Sequence, residues 1–373
     1  MSVNLINGTI PFTELFERLM TLAKIDSFNN EDYAKGLTND AYTRALPSIG
    51  DWICIMKESV VTTSASYSNG TVAITAGATF LVGIGSLWTS DMTYDNGWRI
   101  KFDGQDNIYE FTYVTPTTAN INPPLSGSTS LAAGTYKLFR DEYALPADFD
   151  RFLKNGSLYA LIGGRLYNTI MELPRDQFRE QFFPEPLDPI FRMMLTRVNS
   201  SGDRMIRVNP PPKAIKTYPI DYIPKIAPMK EYTTGTVSLS AGSQVVTGVG
   251  TYWAANVAAG DYFRIDTNGV GDSSKWYRVQ EVTSNTSLML TAAWGEGAEV
   301  GSEYTICTAP SSFPTEFHEF ILYEAVSVAV ASNADPNAEI MIARRGDVLN
   351  RLNKNYKGRR TNSQFGVEDD GYR

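Results

Sequence analysis

Histidine and cysteine are nearly missing from this sequence: His318, Cys54 and Cys307 are all it contains. Two thiols are too few for a disulfide framework, and they read as buried apolar positions in a reducing compartment. A metal centre or a Ser-His-Asp relay built on His318 has no partners at a recognisable spacing. A structural role in the first turn of a helix is therefore expected for it. Long apolar runs are missing too, since no stretch approaches the roughly 18 residues of a membrane helix. The N-terminus has neither a basic start nor an apolar signal core, so synthesis in a cytosol and no membrane partner are expected. Excess positive charge is also lacking. A net charge of −8 argues against a general nucleic-acid surface.

What the chain does have is one stretch used twice. Gly70-Thr71-Val72, Ala76-Gly77, Gly83-Ile84-Gly85, Trp88 and Arg99-Ile100 reappear 165 positions later as Gly235-Thr236-Val237, Ala241-Gly242, Gly248-Val249-Gly250, Trp253 and Arg264-Ile265. The offset then becomes 168, as Tyr109 matches Tyr277, Tyr136 matches Tyr304 and Leu145-Pro146 matches Phe313-Pro314. Within each copy, short β-branched or aromatic runs alternate with turn residues, the pattern of a small all-β module that closes as a barrel or packs as a sandwich. Trp88 and Trp253 are expected as module core.

The length of 373 residues implies two or three domains. Pro11 opens an amphipathic helix through Phe12, Leu15, Phe16, Leu19, Met20 and Leu22. A second helix is predicted from Asn30 until Pro47 stops it. After the first module, Leu145-Pro146-Ala147-Asp148-Phe149-Asp150-Arg151-Phe152-Leu153 has the early proline and acids of a helix start. Phe313-Pro314-Thr315-Glu316-Phe317 repeats that construction after the second module and leads into a helix, apolar nearly all round, to Ser332. Between the modules, Arg204–Val208, then Asn209-Pro210-Pro211-Pro212, then Tyr218–Pro224 read as strand, proline turn and strand. The prolines make the second strand an edge or one paired on one side only. Asp335-Pro336 caps a last helix. The resulting division is 1–60 N-terminal helices, 67–140 first module, 145–232 helix plus β-hairpin, 233–308 second module, 313–356 C-terminal helices and 357–373 flexible tail. The fold class is α+β, a small helical bundle with two inserted, internally repeated all-β modules.

Chemistry-bearing motifs are few. Gly83-Ile84-Gly85 and Gly248-Val249-Gly250 are strand turns, because no Lys-Ser/Thr pair or helix follows them. Asp266 to Asp272 clusters oxygen ligands that fit either a hairpin turn or weak calcium binding. Arg345-Gly346-Asp347 spells an adhesion tripeptide inside a predicted helix. No catalytic, metal or cofactor residues are assigned, and no enzyme activity is expected. Between Met341 and Arg360 seven basic residues face only Asp347. That segment also carries Val348, Leu352 and Tyr356, and it reads as an arm that orders on binding a partner.

The helical framework and the segment Val208-Asn209-Pro210-Pro211-Pro212 followed by Tyr218 to Tyr222 resemble the head-to-tail adaptor (neck ring) proteins of tailed bacteriophages. The duplicated Gly-Thr-Val … Gly-x-Gly … Trp module is similar to β domains of phage virion proteins. The resemblance implies a structural virion protein, made in the host bacterial cytoplasm and resident in the neck. It implies a homo-oligomeric ring, about twelve copies, joined to the portal protein and to tail or nozzle proteins. Double-stranded DNA would pass through it without sequence recognition. Arg344, Arg345, Val348, Arg351, Leu352, Lys354, Tyr356, Arg359 and Arg360 would form the portal-docking arm, and its deletion from 341 onward would leave a folded protein. The alternative reading is a tail spike or fibre component whose exposed module aromatics, Trp98, Tyr109, Trp276 and Tyr277, recognise a surface glycan.

Overall fold

The computed structural model describes residues 9–25, 27–50, 52–128, 130–153, 159–162, 165–180, 182–183, 185–266, 275–332 and 338–356. The fold is mixed α/β with several antiparallel sheets. Its α-helices among the described residues are α1 (Phe12–Ala23), α2 (Ser27–Asp40), α3 (Leu46–Ile49), α4 (Arg175–Glu180), α5 (Trp253–Asn256), α6 (Glu316–Ser332) and α7 (Ala338–Tyr356). The chain divides into two compact units, one of Met56–Lys225 and one of Met1–Ile55 with Ile226–Arg373. The strand Lys57–Thr62 thus belongs with the middle of the chain and not with the N-terminal helices.

In the Met56–Lys225 unit a seven-stranded sheet runs Leu131–Gly134, Thr71–Ile74, Phe80–Ile84, Thr118–Asn122, Ile108–Thr115, Trp98–Phe102, Tyr136–Arg140. Alternating burial in these strands puts Val72, Leu81, Ile100, Phe111 and Leu138 into one apolar core. A second core lies beneath two smaller sheets. One places Arg204–Asn209 between Arg192–Val198 and Glu142–Ala144; the other places Thr217–Pro224 between Lys57–Thr62 and Phe149–Phe152.

Three expectations for this unit change. The stretch Leu145–Leu153 is not a helix, because Phe149–Phe152 forms a strand on Thr217–Pro224. The early proline and acids suggested a helix start; here a register shift between Phe149 and Arg151 turns the Phe149 and Phe152 rings together, 4.8 Å apart. Nor do Arg204–Asn209 and Thr217–Pro224 form a hairpin, since they belong to different sheets. Thr217–Pro224 is a middle strand, not an edge. Its prolines are accommodated because its neighbours share it end to end: Lys57–Thr62 takes Thr217 to Tyr222, including Pro219, and Phe149–Phe152 takes Tyr222 to Pro224. At Pro219 only one side of the strand is paired, so no ladder donor is missed there.

In the other unit the eight-stranded sheet runs Glu231–Tyr232, Tyr304–Cys307, Tyr262–Ile265, Tyr277–Ser284, Ser287–Leu290, Val245–Val249, Thr236–Leu239, Glu299–Ser302. Read backwards, its last seven strands have the order of the seven-stranded sheet. Even the extra strand has a counterpart, for Tyr232 pairs with Ile306 as Tyr67 bridges Leu138.

The long helices of this unit pack on one another. Phe12, Leu15, Phe16, Leu19 and Ala23 give α1 one buried face, and Lys24 ends the helix in the left-handed region. Pro47 does not stop the second helix. A widened turn, Ala41–Ala45, follows α2 and runs directly into α3, where Pro47 sits in the first turn. The widening accommodates it: the Leu46 N–H reaches back five residues to Ala41 O, so the carbonyl ladder is already re-spaced where the proline lacks its amide. The chain leaves the helix at Gly50. Helix α6 packs on α1, α2 and α7 and buries Phe317, Phe320, Ile321, Ala325, Val326, Ala329 and Val330. Val328 escapes this burial and is 45% exposed. The capping pair Asp335-Pro336 lies outside the described residues.

Candidate functional site

The repeated residues explain one another once they are placed. Trp88 and Trp253 are buried, and each indole Nε1 donates at 3.0 Å to a tyrosine hydroxyl, of Tyr136 and of Tyr304. Those hydroxyls donate in turn to backbone carbonyls, Asn69 O at 2.7 Å and Thr234 O at 2.6 Å. A buried indole N–H left without an acceptor costs free energy, so the tyrosine survives in both copies together with the tryptophan. Burial pushes both hydroxyl pKa values up, that of Tyr136 to about 12. The glycines make room for the ring. A Cβ on Gly83 or Gly248 would come within 2.8 Å of the Trp88 or Trp253 indole. Gly70 and Gly235 have positive φ, and a Cβ there would press on the carbonyls of Ile84 and Val249. The relay was missed in the sequence because its members are 48 and 51 residues apart, although Tyr136 and Tyr304 stand out as matched positions.

The proposed glycan platforms are not on the surface. Trp98, Tyr109, Trp276 and Tyr277 are all buried. Tyr109 packs 5.4 Å from Phe102, Tyr277 packs 4.8 Å from Trp294, and the Arg264 guanidinium covers Trp276. Alternation sends Trp98, Tyr109 and Tyr277 to the core face, and Trp276, next to Tyr277, is buried outside that core beneath Arg264. The exposed apolar side chains of the modules instead include Phe80, Ile84 and Leu87 in the first and, at the same repeat positions, Val245, Val249 and Tyr252 in the second.

The α7 part of the expected docking segment packs on α6 along one face. In α7, Val348 and Leu352 are buried, and the Tyr356 ring packs edge-on to Phe317 of α6 at 4.9 Å. Arg345 pairs with Glu324 and lies over the Phe320 ring, and Arg351 Nη2 donates to Glu319 Oε2 at 2.6 Å. Arg344 reaches the Tyr323 hydroxyl at 3.5 Å. The charge cluster is therefore partly spent on α6. Arg344, Arg351 and Lys354 remain on the exposed side. Arg359 and Arg360 lie outside the described residues. Removing 341 onward would take the Tyr356 ring off Phe317 and the Arg345 and Arg351 partners off α6.

His318, in the first turns of α6, is buried, and its Nδ1 accepts the Ile10 amide at 3.0 Å. Burial lowers its pKa to about 4, although the Pro310 and Phe313 carbonyls act in the other direction. It is a neutral structural group joining the N-terminal segment to α6. Cys307 is buried against Thr13 and its thiol is pushed up to about 12 by burial, whereas Cys54 is only half-buried. Arg345-Gly346-Asp347 lies within α7. Most of Asp266 to Asp272 falls outside the described residues. Among the described residues no three His, Cys, Asp or Glu side chains are placed to hold a metal ion, and no helix is long and apolar enough to cross a membrane. No protein-family model matches the chain, and no curated protein matches it.

Proposed function

We propose that this protein is a structural, non-enzymatic part of a tailed-phage virion: an adaptor ring in the neck, joining the portal vertex to the tail around the DNA channel. The observation that carries the reading is the architecture. A helical framework is interrupted by a β module between α3 and α6, and a second module of the same strand order stands in the other unit. The residues that recur between the modules are spent on interior geometry. Modules of that kind serve as rigid building parts, which is what a ring subunit requires. The fold then reads as a small helical bundle carrying a duplicated module, and the exposed face of α7, with Arg344, Arg351 and Lys354, is the surface offered to the portal.

Gold-labelled antibody against the full-length protein, applied to tailed particles that contain it, tests the location. Gold at the junction of head and tail is expected. Gold confined to the fibres or the tail tip would favour receptor binding and end the adaptor reading.

A further inference from the structure

One charged residue of the repeat is not used inside the modules. Arg99 and Arg264 hold the same place in the two copies, each on the strand face opposite an isoleucine neighbour that enters the core. Both reach out of their module to carboxylates of the surrounding framework.

In the first module Arg99 Nε donates to Asp141 Oδ1 at 2.9 Å and Nη2 to Glu142 Oε1 at 2.8 Å. Each of these acids holds a second arginine from the adjoining sheet, Arg207 on Asp141 at 2.7 Å and Arg197 on Glu142 at 2.9 Å. Arg197 continues to Asp95, and both Arg99 and Arg197 lie over the Tyr94 ring. The two central carboxylates are shut off from water, with side-chain exposures of 0% and 3%.

In the second module Arg264 Nη2 donates to Glu17 Oε1 of α1 at 2.6 Å and Nε to Asp266 at 3.1 Å. One turn earlier on the same helix, Thr13 donates to Glu231 Oε1 at 2.7 Å, so α1 lies across the end strands of the sheet. Here the acids are wet: Glu17 is 40% exposed and Asp266 31%. No second arginine is placed on Glu17 among the described residues.

We propose that this arginine is the fastener by which each module is set on its framework, permanent in the first module and releasable in the second. Opening the first fastener would strand buried carboxylates without counter-charge, which is strongly unfavourable. Opening the second returns Glu17 to water that already reaches it, while the Arg264 side chain, only 9% exposed, keeps Asp266 and the Trp276 ring as partners; salt screens a pair with so wet an acid. Beside it Lys35 of α2 makes a second salt bridge to Glu231 at 2.5 Å, which salt screens in the same sense, whereas Phe12 N to Thr308 O at 2.9 Å and Met229 N to Asn39 Oδ1 at 2.8 Å are neutral contacts and serve as the pivot. The second module therefore loosens from α1 over a range of salt in which the first stays fixed. This holds whether or not the protein is a neck adaptor.

The test is a pair of spin-label distance distributions in the full-length protein, with labels on genetically encoded residues so that Cys54 and Cys307 stay in place. One pair is Thr21 on α1 and Val300 on the second module; the other is Val198 on the framework and Leu87 on the first module, all four exposed. Between about 0.1 M and about 1 M salt the Debye length falls from about 10 Å to about 3 Å. The Thr21 to Val300 distribution is expected to broaden toward longer distances, and to do so at low salt in Arg264→Gln. The Val198 to Leu87 distribution is expected to stay narrow across the range. Any other salt response, with both pairs broadening, neither, or only the first module's pair, overturns the proposal. The salt arm needs no substitution in the fasteners, so it decides the matter even if Arg264→Gln does not fold.

Discussion

The two β modules share a strand order and an interior relay but stand in different surroundings. In the first, the strand Tyr136–Arg140 leads through Asp141 into Glu142–Ala144, and Asp141 and Glu142 are locked by three arginines. In the second, Tyr304–Cys307 leads back to the helices, and α1 with a single glutamate meets the matched arginine. The residues that stayed identical are those whose geometry is over-determined: the indole, the tyrosine hydroxyl beneath it, the glycines that clear space for it, and the arginine that leaves the module. Between them, Phe80 became Val245 and Leu87 became Tyr252, where water is the main neighbour and the cost of change is small. Identity within the chain thus marks interior constraint, and variation marks what each copy is free to present.

The comparison breaks most visibly if the buried indoles are not equivalent. Trp88→Ala and Trp253→Ala should each cost about 3 to 5 kcal/mol in their own module, and by similar amounts, because each deletes a large side chain from a closed core. Hydrogen exchange resolved by module would read this, since each substitution should lower protection in its own module and leave the other unchanged. A tryptophan whose loss leaves protection intact is not core, and the equivalence fails.

A second, smaller effect separates the units by pH. His318, the only histidine of the chain, belongs to the unit with the second module. Its folded pKa of about 4 lies below the ordinary 6.5, so the unfolded chain takes up the proton first as pH falls. The stability it supports is fully present above pH 6.5 and is lost progressively down to about pH 4, about 3 kcal/mol in all. The Met56–Lys225 unit has no histidine and no such loss. Urea midpoints followed in the two units between these pH values should diverge; a flat response of the His318 unit would mean that the imidazole is protonated without penalty.

Much of the core was legible from the repeat and from periodicity. The apolar spacing of Phe12 to Leu19 became the buried face of α1, and Trp88 and Trp253 are interior. The failures have particular causes. At Leu145–Leu153 the proline and acids of a helix start precede a strand, because Phe149–Phe152 pairs with Thr217–Pro224, a partner about seventy residues away in sequence. At Pro47 a widened turn carried the helical path into α3. The charge run after Met341 looked like a free arm because its partners Glu319 and Glu324 lie on another helix, and sequence spacing carries no record of that pairing. For the same reason Asp141 and Glu142 drew no attention, although they hold the first module's arginine.

As a neck adaptor, copies of this chain would close into a ring. Electron micrographs of the purified full-length protein, alone and with a portal-bearing capsid vertex, check this. Closed rings with an open centre that seat on the vertex are expected. Particles that remain single chains at every concentration and never occupy the vertex would contradict it.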